Sequence, residues 1–161
     1  MTVTEGSGGG NTATFTVVLD WERSSGTMVS DVTSGTGGRG TVSPSSLTFT
    51  TGNWDDDQTV TVTGVDNDVD GSNAGSTFTL AVNDGSTADA NYDNLSDQTV
   101  AAALTDNDTA GLTKSTSSVT VTEASGGSNT ATFTVVLDSE PSSGTGVIDV
   151  TSGTTGQATV S

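Results

Sequence analysis

The side chains best suited to chemistry in this chain are carboxylates that lie in short runs after predicted strands. They are Glu5, Asp66, Asp68, Asp70, Asp106 and Asp108. Calcium binding requires hard carboxylate oxygens that converge on one point. Without a cation such gathered charges would repel one another, so their pattern favours a calcium site. Solvated turn residues are the alternative, because Asp is common in turns for backbone reasons alone.

One of these runs partly matches a known calcium loop. Residues 66–71 read D-N-D-V-D-G, the first half of an EF-hand loop, but position twelve is Thr77 where an EF-hand has Glu. Neither flank predicts a helix, so we expect a turn that supplies two or three carboxylates to a shared site. The other acidic run, Asp55 to Asp57, is expected to be a solvated loop before a strand.

Strands must position these carboxylates, because polar and apolar residues alternate with period two along the chain and no helix is predicted. Val and Thr dominate, and both suit a half-buried pleated surface. The pattern predicts strands near 1–4, 12–19, 27–33, 39–50, 58–64, 76–82 and 98–105. About seven short strands separated by Gly, Ser, Asn and Asp clusters predict an all-β fold, an antiparallel β-sandwich.

The order of the strands predicts where the carboxylates lie. If every connection reverses the chain, the loops at 5–11, 34–38, 65–75 and 106–110 all fall at one end of the sandwich. We call this the far end and the opposite one the near end. All six carboxylates fall at the far end, whereas Asp55 to Asp57 fall at the near end.

The chain also contains a long internal repeat. Thr2–Ser43 recurs as Thr120–Ser161, an offset of 118 residues, with 33 of 42 aligned positions identical. That period is too long for a solenoid unit, so each repeat should be a domain with its own core. We therefore predict one sandwich domain at 1–110 and the first part of a second repeat at 111–161. Glu123 matches Glu5 and is predicted to be a metal ligand of the second repeat.

Charge and composition narrow the classes of function. Asp and Glu number 20 and Lys and Arg only 3, which gives a formal net charge of −17. Nucleic acid and membrane insertion are not expected, because the chain has no basic surface and no long apolar run. With no His and no Cys, it offers no general base near neutral pH and no thiol nucleophile, so we do not expect an enzyme.

An ordered set of motifs resembles a Calx-β domain of the bacterial extracellular type. The motifs are Val3-Thr4-Glu5 before a Gly-rich turn, the run from Ser43 to Phe49 leading to Trp54, Gly64 to Asp68, and Thr105 to Gly111. The resemblance implies an immunoglobulin-like sandwich of seven strands that binds calcium at one end, with ligands at Glu5, Asp66, Asp68, Asp106 and Asp108 and with Asp70 just after them. Ser34-Gly35 and Ser43-Pro44 stand where calcium-binding members have further carboxylates, which implies fewer ions and weaker binding.

These observations lead to three hypotheses of function. The first is a structural repeat of a large secreted adhesin or matrix protein, at the cell surface or outside the cell, made rigid by calcium at joints that Asp138 and Glu140 would help to complete. The second is a filament subunit built by strand exchange between chains, because the first third of the repeat is present twice. The third, ranked below these two, is carbohydrate binding through the face of the sandwich or through Trp21, whose counterpart in the second copy is Ser139.

Overall fold

A computed structural model describes residues 1–6, 11–22, 25–35, 38–123, 129–153 and 158–160. The chain divides into two compact units, Met1–Asp108 and Thr109–Ser161. The described residues of the first unit form eight strands: β1 (Thr2–Thr4), β2 (Thr12–Val17), β3 (Met28–Ser34), β4 (Gly40–Ser43), β5 (Ser46–Phe49), β6 (Gln58–Gly64), β7 (Ala74–Val82) and β8 (Gln98–Thr105). They contain no helix, so the predicted all-β class is confirmed. The described part of the chain accordingly holds no apolar helix of membrane-spanning length.

The first unit is a sandwich of two sheets. One sheet has the order β1-β8-β7-β3-β5 and the other the order β2-β6-β4. All pairs are antiparallel except β1 with β8, which run parallel, with Thr4 opposite Thr105. This parallel pair is a departure from the wholly antiparallel sandwich that we predicted. Because the two strands run parallel, β1 and β8 end side by side, and the residues that follow them, Glu5 and Asp106, come close together.

The single strand predicted at 39–50 is wrong. The segment forms β4 and β5, which belong to different sheets, and the cis peptide Ser43–Pro44 lies between them. Pro44 has no N–H to donate to a sheet ladder, so pairing is interrupted there and the chain crosses from one sheet to the other. The other predicted strands are confirmed within two residues at each boundary.

Two apolar clusters fill the space between the sheets. The cluster nearer the near end contains Leu19, Met28, Val32, Leu47, Phe49, Val60 and Leu80, with Trp54 packed against it. The cluster nearer the far end contains Val3, Val62, Phe78, Ala102 and Leu104. Each strand contributes alternate residues, as the period-two pattern of Val, Leu and Phe requires. Trp54 is partly buried and anchors the loop before β6 to the near-end cluster.

Close packing at the far end depends on a residue without a side chain. A Cβ on Gly64 would lie 2.8 Å from the carbonyl oxygen of Thr4 and 3.1 Å from Cγ1 of Val3. The end of β6 therefore lies directly against β1, which carries Glu5 at its end. We expect Gly64→Ala to lower the free energy of unfolding of the first unit by about 1 to 3 kcal/mol through overpacking.

Urea unfolding followed by circular dichroism measures this change. Gly75→Ala in β7 is the matched control, because the nearest atom to its Cβ would be 4.0 Å away, and a change within about 0.5 kcal/mol is expected. If the two variants lost equal free energies of unfolding, contact with β1 would not explain why position 64 requires glycine.

The second unit shows how the same sequence behaves without its partners. Asn129 to Asp138 repeat residues 11–20, but only Val135–Leu137 form a strand, β10, which pairs with β9 (Leu112–Lys114). In the first unit, Thr12–Val17 of the corresponding segment pair with β6. Their counterparts from Thr130 to Thr134 form no strand in the second unit.

Candidate metal site at the far end

Strand pairing brings the predicted acidic segments to one end of the first unit. Glu5 follows β1, and its N–H donates to the carbonyl oxygen of Thr105 at 2.8 Å, at the end of β8. On the other sheet, the N–H groups of Gly64 and Val65 donate to the carbonyl oxygens of Asn11 and Arg39 at 2.7 and 3.0 Å. The described ends of the predicted loops therefore meet, although residues 7–10 and 36–37 lie outside the described part.

Three carboxylates form the centre of the site. Glu5, Asp106 and Asp108 are half-buried, and each offers an oxygen within 4.8 Å of the other two. Glu5 comes from the first strand and the two aspartates from the segment after the last strand, about 100 residues later. The parallel pairing of β1 and β8 produces this approach.

Backbone and amide groups hold Asp106 in place. The N–H of Asp106 donates to Oδ1 of Asn73 at 2.8 Å. Oδ1 of Asp106 accepts from the N–H of Asp108 at 2.8 Å. The N–H of Gly71 donates to Oδ2 of Asp106. The turn at 66–71 thus contacts the segment at 106–108 through a backbone N–H, whereas none of its three predicted carboxylates belongs to the group of Glu5, Asp106 and Asp108.

The same turn also contacts Glu5. Nδ2 of Asn67 donates to Oε1 of Glu5, and Oδ1 of Asn67 accepts from the N–H of Val69 at 2.8 Å. Gly6 has φ of 121°, and a Cβ at this position would lie 2.9 Å from Nδ2 of Asn107 and 3.7 Å from Oδ1 of Asp66. Only glycine fits this turn easily, because the left-handed backbone and the close amide both exclude a side chain.

The remaining predicted ligands surround this centre. Asp66, Asp68 and Asp70 are exposed. Burial of Asp108 raises the pKa of its carboxyl, and the charges of Asp106, Asp68, Asp66 and Asp70 raise this pKa further. The five aspartates therefore share one electrostatic environment, in which the ionised form of Asp108 is disfavoured.

A prediction for the metal-free protein follows from this raised pKa. A folded-state pKa above the unfolded value means that the folded chain binds the proton more tightly, so stability falls as pH rises through the folded pKa. In EDTA, the melting temperature of the first unit should therefore rise when the pH is lowered from about 7 to about 5. Asp108→Asn removes the titrating group and should show a smaller rise, with a stability at pH 7 at least equal to that of the parent chain.

Differential scanning calorimetry at both pH values measures this effect. Asp55→Asn is the control, because Asp55 is exposed in the turn before β6 and carries the same charge. An identical pH response of the Asp108→Asn chain and the parent chain would contradict the role of Asp108.

Several residues of this site were not predicted from the sequence. Arg39 contributes Nη1, which donates to the carbonyl oxygen of Ser72 at 2.8 Å, and its Nη2 lies 3.0 Å from where a Cβ on Gly71 would be. The amides of Asn67 and Asn73 contact Glu5 and Asp106 as described above. A pattern of carboxylates does not reveal these groups, but Arg39 is one of only 3 basic residues in the chain, and its place among far-end residues was a usable signal.

Other predicted residues lie elsewhere. Glu123 belongs to the second unit, where it is exposed, and its role as a ligand stays a prediction. Asp55 to Asp57 are exposed before β6, at the near end. Trp21 also lies at the near end, with 80% of its surface exposed.

Comparisons with known proteins found no relative. A scan against protein-family models, a search of curated proteins and a search of solved structures each gave no match. The function must therefore be argued from the site and the repeat.

Proposed function

We propose that each repeat is a structural module of a long extracellular protein. Calcium bound at the far end of each module would make the array of modules more rigid. The observation that carries this proposal is the approach of Glu5, Asp106 and Asp108 within 4.8 Å. Glu5 comes from the beginning of the first unit's sequence, and Asp106 and Asp108 come from its end. An ion bound to all three would therefore connect the first strand to the last. It would also offset the repulsion among the carboxylates.

The donor set fits calcium. The three central ligand groups are carboxylates, whose oxygens are the hard ligands that calcium prefers. In the described part of the chain, Oδ2 of Asp108 is buried and accepts no hydrogen bond, so a cation would satisfy an atom that the protein leaves without a donor. Glu5, Asp106 and Asp108 would hold the ion, and Asp66, Asp68 and Asp70 would add negative charge around it.

The setting that suits such a site is extracellular. With three central carboxylates and Arg39 nearby, we expect dissociation constants of about 0.1 to 1 mM, the range of extracellular calcium modules. Calcium at cytosolic concentrations would leave the site empty. The motif order that resembles Calx-β domains, together with the tandem repeat, supports a role as a spacer in a secreted adhesin or matrix protein.

A chain of two complete repeats tests the proposal. Thr59 is exposed, and the chain has no cysteine, so Thr59→Cys in each repeat places one spin label on each domain. Calcium at about 5 mM should narrow the distribution of label distances compared with EDTA, and Asp108→Asn in the first repeat should abolish the narrowing. Equal widths with calcium and with EDTA would contradict the proposal.

A second candidate function, assembly by strand exchange, is favoured by a different observation. Val3 and Val32 are 0% and 2% exposed, whereas their counterparts Val121 and Val150 are 43% and 45% exposed. The second copy thus presents the side chains that form the core of the first unit. Residues 120–160 could take the place of residues 2–42 on β5 to β8 of another chain, and successive exchanges would build a filament.

Disulfide trapping tests this candidate. Thr16 lies opposite Thr59 in the native register, and its counterpart in the second copy is Thr134. A chain carrying Thr59→Cys and Thr134→Cys, refolded at high concentration and oxidised, should form disulfide-linked multimers if strands are exchanged. The control with Thr16→Cys and Thr59→Cys should form its disulfide within one chain. Absence of a disulfide between positions 59 and 134 would exclude exchange.

A further inference from the structure

The near end of the first unit contains a large groove between the two sheets. Its volume is about 730 Å³, within the range of roughly 300 to 1,000 Å³ typical of ligand pockets. Its walls are mostly apolar and include Leu19, Met28, Leu80 and Leu95. The groove lies at the opposite end from the acidic site, so nothing in the calcium proposal uses it.

The rim of the groove is aromatic. Trp21 and Tyr92 both line it, and the hydroxyl of Tyr92 donates to the carbonyl oxygen of Trp21 at 2.7 Å. This hydrogen bond joins the segment after β2 to the loop between β7 and β8. The indole of Trp21 remains 80% exposed, which is unusual for a residue that could pack into the apolar groove beside it.

Three carboxylates, Asp20, Glu22 and Asp89, also line the groove. Asp89 is only 5% exposed, and its Oδ1 accepts hydrogen bonds from N and Nδ2 of Asn91 at 3.0 and 3.1 Å. No basic side chain is among the described residues that line the groove. Arg23 follows Glu22 directly but lies outside the described residues.

The two copies of the repeat differ at positions that line this groove. Along β3 the buried positions are 28, 30 and 32. Two of these three are replaced in the second copy, Met28 by Gly146 and Ser30 by Ile148, whereas the intervening Val29 and Asp31 are unchanged. The wall that β3 contributes to the groove therefore differs between the two copies.

The two replacements move side-chain bulk along the groove. Met28 and Ser30 lie on one face of β3, about 7 Å apart at roughly 3.3 Å per residue. Met28 has a long side chain and Gly146 has none, whereas Ser30 has a small side chain and Ile148 a large one. The two replacements therefore change the shape of the groove and keep its wall apolar. Trp21 at the rim is also replaced, by Ser139, so the wall and the rim of the groove change together.

We propose that the near-end groove binds an organic cation with an apolar or aromatic body, and that each repeat shapes its groove for its own ligand. The apolar walls would take the body of the ligand. The aromatic rim and the carboxylates would favour its positive charge, since aromatic faces and carboxylates both attract cations and an apolar groove strengthens the field. This site is independent of calcium at the far end.

Titration of the full chain with 2-phenylethylammonium, followed by amide and indole nuclear magnetic resonance shifts, tests this proposal. The cation should bind at least tenfold more tightly than its neutral analogue 2-phenylethanol at low ionic strength, with shifts confined to residues of the groove. Trp21→Ser, the residue found in the second copy, should weaken binding several-fold. Glu22→Gln, at an exposed residue whose replacement does not threaten folding, should also weaken binding several-fold.

Asp55→Asn is the matched control, because Asp55 lies at the same end and carries the same charge but does not line the groove. This variant should bind as the parent chain does. Equal affinity for the cation and the neutral alcohol would overturn the proposal, as would equal losses in Asp55→Asn and in both groove variants. Binding of a neutral disaccharide such as maltose without binding of the cation would assign the groove to carbohydrate and would also overturn it.

Discussion

Replacement of Leu19 by alanine should lower the free energy of unfolding of the first unit by about 2 to 5 kcal/mol. Leu19 is 9% exposed and belongs to the near-end apolar cluster, and its N–H donates to the carbonyl oxygen of Trp54 at 3.1 Å. Removal of its side chain takes away apolar contacts within this cluster and widens the groove that Leu19 lines. The loss is a large fraction of the free energy of unfolding of about 5 to 15 kcal/mol that is typical of a domain.

The chain provides a matched control for this change. Leu137 is the counterpart of Leu19 in the identical ten-residue run but is 39% exposed, so Leu137→Ala should cost less than about 0.5 kcal/mol. Urea unfolding followed by Trp54 fluorescence measures both, in a Trp21→Ser background that leaves a single tryptophan. Comparable losses at the two leucines would contradict the assignment of the core to the first copy and would favour strand exchange.

Calcium should produce the second large effect. At about 5 mM calcium, a site with a dissociation constant of about 0.1 to 1 mM stabilises the folded first unit by about 1 to 2 kcal/mol. For a unit of this size the melting temperature should rise by roughly 5 to 15 °C. The physical reason is that the ion replaces repulsion among Glu5, Asp106 and Asp108 with attraction.

The same variants used for the pH experiment separate this effect from general screening. Asp108→Asn should lose most of the calcium-induced rise, although without calcium it is expected to be at least as stable as the parent chain at neutral pH. Asp55→Asn should keep the full rise, and magnesium at the same concentration should produce a smaller one because it gives up its water reluctantly. A rise of equal size in all three chains would indicate screening alone.

The fold was largely predictable because the period-two pattern fixes which residues face the core. Val60 and Val62 of β6 are 0% exposed, and Phe78 of β7 is likewise buried, as their alternation required. The break at Pro44 was missed because polar and apolar residues alternate on both sides of it. The alternation changes phase between Val42 and Leu47, which was a usable signal of the break, although the pattern does not show that the chain changes sheet. The parallel pairing of β1 with β8 was missed for a similar reason, since pairing partners are set by tertiary packing.

The limits of local sequence are clearest in the repeated run. The ten residues from Asn11 to Asp20 and those from Asn129 to Asp138 are identical, yet the first run forms a six-residue strand and the second forms three residues of β10. Propensity is the same in both cases, so the presence of β6 as a partner decides the outcome. Sequence alone predicts the capacity to form a strand, and the available edge determines whether the strand forms.

Prediction of the site shows the same division. Strand order alone placed Glu5, Asp106 and Asp108 at one end, because each follows a strand that ends there. The hydrogen-bond partners that arrange them, among them Asn67, Asn73 and the N–H of Gly71, could not be predicted, because their positions depend on the conformation of the 65–73 loop. The extent to which the positive charge of Arg39 offsets the carboxylates likewise depends on the conformation of that loop, because Arg39 donates to the carbonyl oxygen of Ser72.

The central claim is that calcium binds the carboxylates of the far end, and an ¹⁵N nuclear magnetic resonance titration of the full chain with calcium tests it most directly. The account predicts saturable shifts with a midpoint of about 0.1 to 1 mM, confined in the first unit to residues 5–6, 66–73 and 106–108, with the amides of Asp55 to Asp57 unmoved. Shifts spread over all the acidic residues without saturation, or no shifts in those three segments, would contradict it.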